Sequence, residues 1–120
     1  MQRLHVVPAR RWRHFATARG HRPTHDYLLQ LHPEERLAAI SEMRRVSTLG
    51  LSEARHLRGE IYEVRVRARV AHRILFAREG RHGHILLALH AFAKTTQQTP
   101  RHHLELAERR LRDWRSRSSS

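Results

Sequence analysis

The sequence has no cysteine among its 120 residues. Disulfide bridges, thiolate catalysis and cysteine-based zinc sites are therefore excluded. Long apolar runs are also missing, since the most apolar stretch, "ILLALHAF" from Ile85 to Phe92, is far shorter than the roughly 20 residues that cross a bilayer. The first residues, "MQRLHVVPARRWRHF", do not resemble a signal peptide. We expect a cytoplasmic protein with no membrane partner.

Acidic residues are scarce in this chain. It has 11 Asp and Glu against 24 Lys and Arg, which gives a formal net charge of +13 at pH 7. Arginine supplies 23 of these cations, and Lys94 is the single lysine. Such a positive surface repels itself unless an anion binds to it. We expect nucleic acid as the partner, with an acidic protein as the second alternative.

The usual signatures of catalysis are absent as well. The sequence shows no pair of catalytic carboxylates, no Ser-His-Asp order and no glycine-rich phosphate loop. Its 12 histidines include "RHGH" and "RHH", but no carboxylate adjoins the first group and adjacent residues on a helix do not face one another. We therefore expect neither a metal nor a cofactor. Cations suffice to cut RNA, because its own 2′-hydroxyl is the nucleophile and the protein need only align it and stabilise charge at phosphorus.

Length and hydrophobic periodicity predict one α+β domain over residues 1–115, followed by a disordered polar tail over 116–120. One of two short runs, "LHVV" or "WRHFAT", is expected to form an edge strand. Helices are expected from Thr24 and from Pro33, forming a hairpin. "EIYEVRVRARV", "AHRILFA" and "HILLALHAF" are typical of three antiparallel strands, and Pro100 begins a last helix. The helices should pack on one face of an antiparallel-rich sheet.

Arginines alternate with apolar residues in the first of these strands. Arg65, Arg67 and Arg69 point to one face, which is either a solvated sheet surface or a phosphate-binding surface. Arg73 is different, because it lies inside the apolar second strand, where a guanidinium needs an anion. Either a bound phosphate or a buried pair with Glu63 would meet that need.

The segment "HAFAKTTQQTP" leaves the third strand and leads into the last helix. His90 interrupts the strand, where its imidazole could transfer a proton or form a hydrogen bond in the core. Lys94 follows the strand directly, at a place where site residues often lie. The hydroxyl groups of Thr95 and Thr96 are further candidates for binding phosphate.

Three motifs resemble a known family. "LRGEIYEVR", "HRILFA" and "LHAFAKTTQQTP" resemble the RelE/HigB-type toxins of bacterial type II toxin–antitoxin systems, most of all the phage-derived HigB-like branch of the RelE/ParE superfamily. The resemblance covers residues 22–115. It implies a RelE-like compact sheet with an N-terminal helical hairpin and a C-terminal helix. It also implies a metal-independent endoribonuclease that cuts mRNA, usually on the ribosome, and so inhibits translation.

The resemblance also implies partners and site residues. The partner would be a cognate antitoxin, more acidic and often with a helix-turn-helix, and the complex would bind its own operator DNA. Carried over by position, the catalytic candidates are Arg65, Arg73, Lys94 and His90. The RNA-binding candidates are Arg67, Arg69, His72, Phe92, Thr95 and Thr96.

Two departures from the family pattern bear on activity. Thr95 stands where the family usually has a second lysine, and His72 where it usually has a tyrosine. Losing a cation and a stacking platform should reduce or retune cleavage. Two alternatives therefore stay open: a ParE-like poison of DNA gyrase, and a non-catalytic module that keeps the toxin fold. New RNA ends in cells that express the protein would separate the nuclease from both.

Overall fold

The computed structural model describes residues 10–118. The stretch "LHVV", Leu4 to Val7, lies outside them. Eight helices and strands follow one another in this order: β1 (Arg11–His14), α1 (Pro23–Gln30), α2 (Pro33–Leu49), β2 (Arg55–Arg58), β3 (Ile61–Val66), β4 (His72–Glu79), β5 (Ile85–Ala93) and α3 (Arg101–Ser118). Short 3-10 turns lie at Leu51–Glu53 and Arg81–Gly83. The predicted α+β class is confirmed.

The strands form one sheet in the order β1-β5-β4-β3-β2. Strands β2 to β5 pair antiparallel with their sequence neighbours, as the hairpin pattern predicts. Strand β1, within "WRHFAT", forms one edge and pairs parallel with β5. A parallel pair needs a long crossover connection, and the intervening helices and strands provide it.

Helices cover both faces of the sheet, so the prediction that they pack on one face is wrong. Met43 and Val46 of α2 pack against one face, in a cluster that includes Phe76. Ala107 and Leu111 of α3 pack on the opposite face. The cause is visible in β4 and β5, whose apolar residues run almost without interruption. Both faces of these strands therefore have to be buried.

Strand β3 is shorter than its sequence pattern predicts. The alternation of valine and arginine continues to Val70, but the last residue paired with β4 is Val66, opposite His72. The intervening residues reverse the chain, because a hairpin cannot pair all of them. Arg67 and Arg69 therefore lie in the β3–β4 loop, and only Arg65 keeps its predicted place on the strand.

The C-terminal helix runs further than expected. Ser116 to Ser118 belong to α3, whereas the sequence predicts a disordered tail from Ser116 onward. Arg117 forms an ion pair with Asp113 at 3.1 Å, one helical turn earlier. Ser119 and Ser120 lie outside the described residues. Within residues 10–118, none of the helices has the length and apolar character needed to span a bilayer.

Candidate functional site

A cleft of about 360 Å³ opens where β3 ends, β4 begins and β5 ends. Because these strands are antiparallel neighbours, the three points lie at the same end of the sheet. Arg65 is paired with Arg73 across β3 and β4, and the backbone N–H of Lys94 donates to the carbonyl of Ala71 at 2.8 Å. Three predicted catalytic residues, Arg65, Arg73 and Lys94, therefore line one cleft.

The accessible cations of this cleft are Arg65, Arg67 and Lys94, all of them exposed. Glu63 orients the guanidinium of Arg65, because the Arg65 Nε donates to a carboxylate oxygen of Glu63 at 3.1 Å. Within residues 10–118 no side chain accepts a hydrogen bond from its Nη atoms. Guanidinium and ammonium groups in this arrangement present hydrogen-bond donors and positive charge to an anion.

Arg73 forms part of the cleft wall but is only 1% exposed. Its Nη1 lies 3.5 Å from Glu63 and donates to the hydroxyl of Thr99 at 2.9 Å, while Nη2 donates to the carbonyl of Gln97 at 2.7 Å. The expectation that Arg73 clamps a phosphate is corrected here, because its anion is the buried Glu63, the alternative that the sequence left open. Its hydrogen bonds connect β4 to the loop that follows Lys94.

His72 lies at the cleft wall with both ring nitrogens already engaged. The Tyr27 hydroxyl lies 2.6 Å from Nδ1, and Glu35 lies 2.7 Å from Nε2. A neutral imidazole that accepts from tyrosine and donates to glutamate satisfies all three groups. The side chain is buried, so the expectation that it stacks on a base or donates a proton to RNA is corrected. Burial, together with Glu35, raises the pKa of Tyr27.

His90 and Phe92 do not reach the cleft. His90 lies under α3, where its Nε2 is 2.7 Å from Nδ1 of His103. Burial, reinforced by the charge of Arg110, lowers the pKa of His90 to about 4, so the ring is neutral near pH 7. Phe92 is 7% exposed and stacks on His103 at 3.7 Å between ring centroids. The roles predicted for them, proton transfer by His90 and RNA binding by Phe92, are therefore corrected, and His90 takes the alternative of a hydrogen bond inside the protein.

The remaining predicted residues are exposed but do not line the cleft. Arg69 lies in the β3–β4 loop, and Thr95 follows Lys94 directly. Thr96 is held locally, since its hydroxyl donates to the carbonyl of Gln98 at 2.6 Å. These three residues lie beside the cleft and could contact a longer ligand.

A second depression continues the cationic surface, and sequence reasoning missed it. It shares Arg65 and Arg67 with the cleft and adds Arg55 and Arg45. Arg45 is paired with Glu53 at 2.5 Å, whereas Arg55 is exposed opposite Glu63 on β3. The missed strand β2 carries Arg55. Its sequence, "RHLR", has no apolar alternation that would have revealed it.

No group of three or more metal-ligating side chains comes together within residues 10–118. "RHGH" illustrates why, because His82 and His84 fall in and beside a 3-10 turn and not on a strand face.

The model of the family described as phage-derived protein Gp49-like (DUF891) matches residues 26–112. A search of the curated proteins finds no match to the chain. The matched segment contains most of α1, all of α2, β2 to β5 and most of α3, and hence the whole cleft. The protein therefore belongs to the Gp49-like family of phage-derived proteins, a toxin-like family of toxin–antitoxin systems within the RelE/toxin-like group.

Proposed function

We propose that this protein is the toxin of a toxin–antitoxin pair and acts as a metal-independent endoribonuclease that cuts mRNA on the ribosome in the cytoplasm. A cognate antitoxin neutralises it, and the resulting complex binds operator DNA. The observation that carries the proposal is the convergence of Arg65, Arg67 and Lys94 on one cleft, none of whose lining residues is acidic. Membership of a toxin-like family supports the same reading.

RNA cleavage requires the protein only to align the reacting groups and to stabilise the negative charge at phosphorus. The ribose 2′-oxygen attacks phosphorus, the bond to the 5′-oxygen breaks, and a 2′,3′-cyclic phosphate and a 5′-hydroxyl result. Arg65 holds the scissile phosphate in its guanidinium fork, and Lys94 neutralises the charge that develops on the phosphoryl oxygens. The 2′-hydroxyl loses its proton to water, and water protonates the departing 5′-oxygen.

Buried groups hold these cations in place. Arg73 and Glu63 connect β4 and β3 to the loop that follows Lys94, and Thr99 closes the network through its hydrogen bond to Glu63 at 2.5 Å. Preorganised cations stabilise a transition state better than mobile ones, because they need no reorganisation during the reaction. The network accounts for an arginine and a glutamate buried in a sheet this small.

A non-catalytic binding module is the second candidate function. His72 and His90 are both held by protein partners, so neither is free to transfer a proton at the cleft. Thr95 also stands where the resemblance places a lysine. A cleft with cations but no proton-transfer group binds RNA and cuts it slowly or not at all.

Induced expression with RNA-end mapping distinguishes these functions. The proposal expects growth arrest and new 5′-hydroxyl ends within translated mRNA, both suppressed by co-expressed antitoxin. Arrest with DNA damage and intact mRNA would instead indicate a gyrase poison. Normal growth and intact mRNA, with the protein present and folded, would favour the binding module and overturn the proposal.

A further inference from the structure

A second groove of about 340 Å³ lies between β1, α1 and α2 and shares no lining residue with the cationic cleft. Its floor is apolar and is formed by Trp12, Leu28 and Met43. The Trp12 Nε1 donates to the carbonyl of Met43 at 2.7 Å, so the indole presents no free donor. The floor therefore offers apolar contact area and few polar groups.

Exposed apolar side chains continue this groove outward. Leu29 is 54% exposed and Ile40 is 41% exposed, and both line it. Leu37, at 69%, lies one turn before Ile40 on the same face of α2. Four of the five large hydrophobic residues that are exposed within residues 10–118 lie on this helical hairpin, and three of them, Leu29, Leu37 and Ile40, lie in or beside the groove. Exposed apolar side chains gathered around a groove mark a binding surface.

Apart from Ser47, the polar residues that line the groove are arginines and histidines. Arg36 and Arg44 lie on its α2 side, and His14 and His25 on the other, while none of its lining residues is acidic. Arg44 has no ion-pair partner within residues 10–118. An occupant that satisfies this rim must carry carboxylates beside apolar side chains.

We infer that this groove binds an acidic amphipathic helix, and that the helix belongs to the antitoxin; the second clause rests on the proposed function. Apolar residues at i, i+3 or i+4 and i+7 of that helix pack against Leu29, Ile40 and Met43. Its carboxylates face Arg44. Arg36 adds positive charge beside them, although its Nε and Nη2 already donate to the carbonyls of Leu28, Leu29 and Leu31. Charge decides against the other occupants: a second copy of the chain would bring +13 against +13, and residues 1–9 contain no acid.

The test measures binding of a designed 18-residue helix to the full chain by fluorescence anisotropy. The probe has leucines on one face and glutamates on the other, and its control replaces the glutamates with lysines. We expect saturable binding of the acidic probe alone, weakened about tenfold or more by Leu29→Glu or Ile40→Glu. Leu49→Glu is the matched control, since Leu49 is 60% exposed and outside the groove, and it should change binding less than twofold.

Any of the following outcomes would overturn the inference. The acidic probe does not bind at all, or it binds every variant equally. Deleting residues 1–9 tightens binding tenfold, which would make that segment the occupant. The wild-type chain dimerises in sedimentation velocity and Ile40→Glu makes it monomeric. RNA cleavage by the same variants keeps the two proposals apart, since groove variants should cleave like wild type. If the wild-type protein does not cleave RNA, the proposed nuclease activity is wrong, but the result for the groove is unaffected.

Discussion

The guanidinium of Arg73 lies 3.5 Å from the carboxylate of Glu63, and each residue is 1% exposed. The pair joins β3 to β4, and Thr99 extends it to the segment before α3. A buried ion pair adds little net stability, because desolvation offsets the attraction, but an unpaired buried charge is costly. The pair therefore acts on the position of the Lys94 loop more than on total stability.

Removing one partner of this pair should cost more than removing both. We expect Arg73→Met to lower the free energy of unfolding by about 3–5 kcal/mol, because Glu63 stays charged and buried. The double variant Glu63→Leu, Arg73→Met should lose less than Arg73→Met alone. Urea unfolding measures all three proteins. Arg101→Met is the control, because its pair with Glu105 is exposed and should contribute at most about 1 kcal/mol. A double variant that loses as much as Arg73→Met, or more, would contradict this account.

The stability of the protein should depend on pH through His90. Its folded pKa is about 4, below its usual value of about 6.5 in an unfolded chain, so the unfolded state binds the proton first. This contribution is fully present above pH 6.5 and is lost as pH falls from about 6.5 to about 4. His90→Phe should flatten the pH dependence of the melting temperature in that window. Gln98→Ala, a change at an exposed residue without a titratable group, is the control and should leave the slope unchanged.

The cationic cleft should make RNA binding strongly dependent on salt. Three neutralised phosphates, one for each of Arg65, Arg67 and Lys94, give a slope of about −2 in log affinity against log salt for a single strand. Arg67→Ala should reduce the slope by about 0.7 units. Filter binding of a short single-stranded RNA measures this slope between 50 and 500 mM salt, a range on the order of one decade. A slope near zero would show that the cations do not contact phosphate.

Periodicity in the sequence was enough to predict the helical hairpin, the antiparallel core and the last helix. It failed where tertiary pairing decides the outcome. Strand β3 stops at Val66 because the chain has to reverse before His72 begins β4, although the pattern of alternation continues to Val70. Strand β2 carries no alternation, because it lies at an exposed edge.

The site was predictable in position and not in the state of its residues. Sequence placed Arg65, Arg73 and Lys94 in one region, and the structure brings them to one cleft. Burial could not be read from the sequence. An arginine in an apolar strand can face a ligand or a glutamate, and only the pairing of β3 with β4 decides for Arg73. The partners of His72 and His90 likewise come from helices distant in sequence.

The most direct measurement is cleavage of mRNA on purified ribosomes by wild type and by three single variants. The account predicts that Arg65→Ala and Lys94→Ala each lower the cleavage rate by about 10²–10³-fold, as loss of one stabilising group at a transition state does, while both variants stay folded. Arg69→Ala, an exposed arginine next to the cleft but not in it, should cleave within about threefold of wild type, as surface changes away from a site do. Equal rates in all four proteins, or loss only in Arg69→Ala, would contradict the assignment of the cleft.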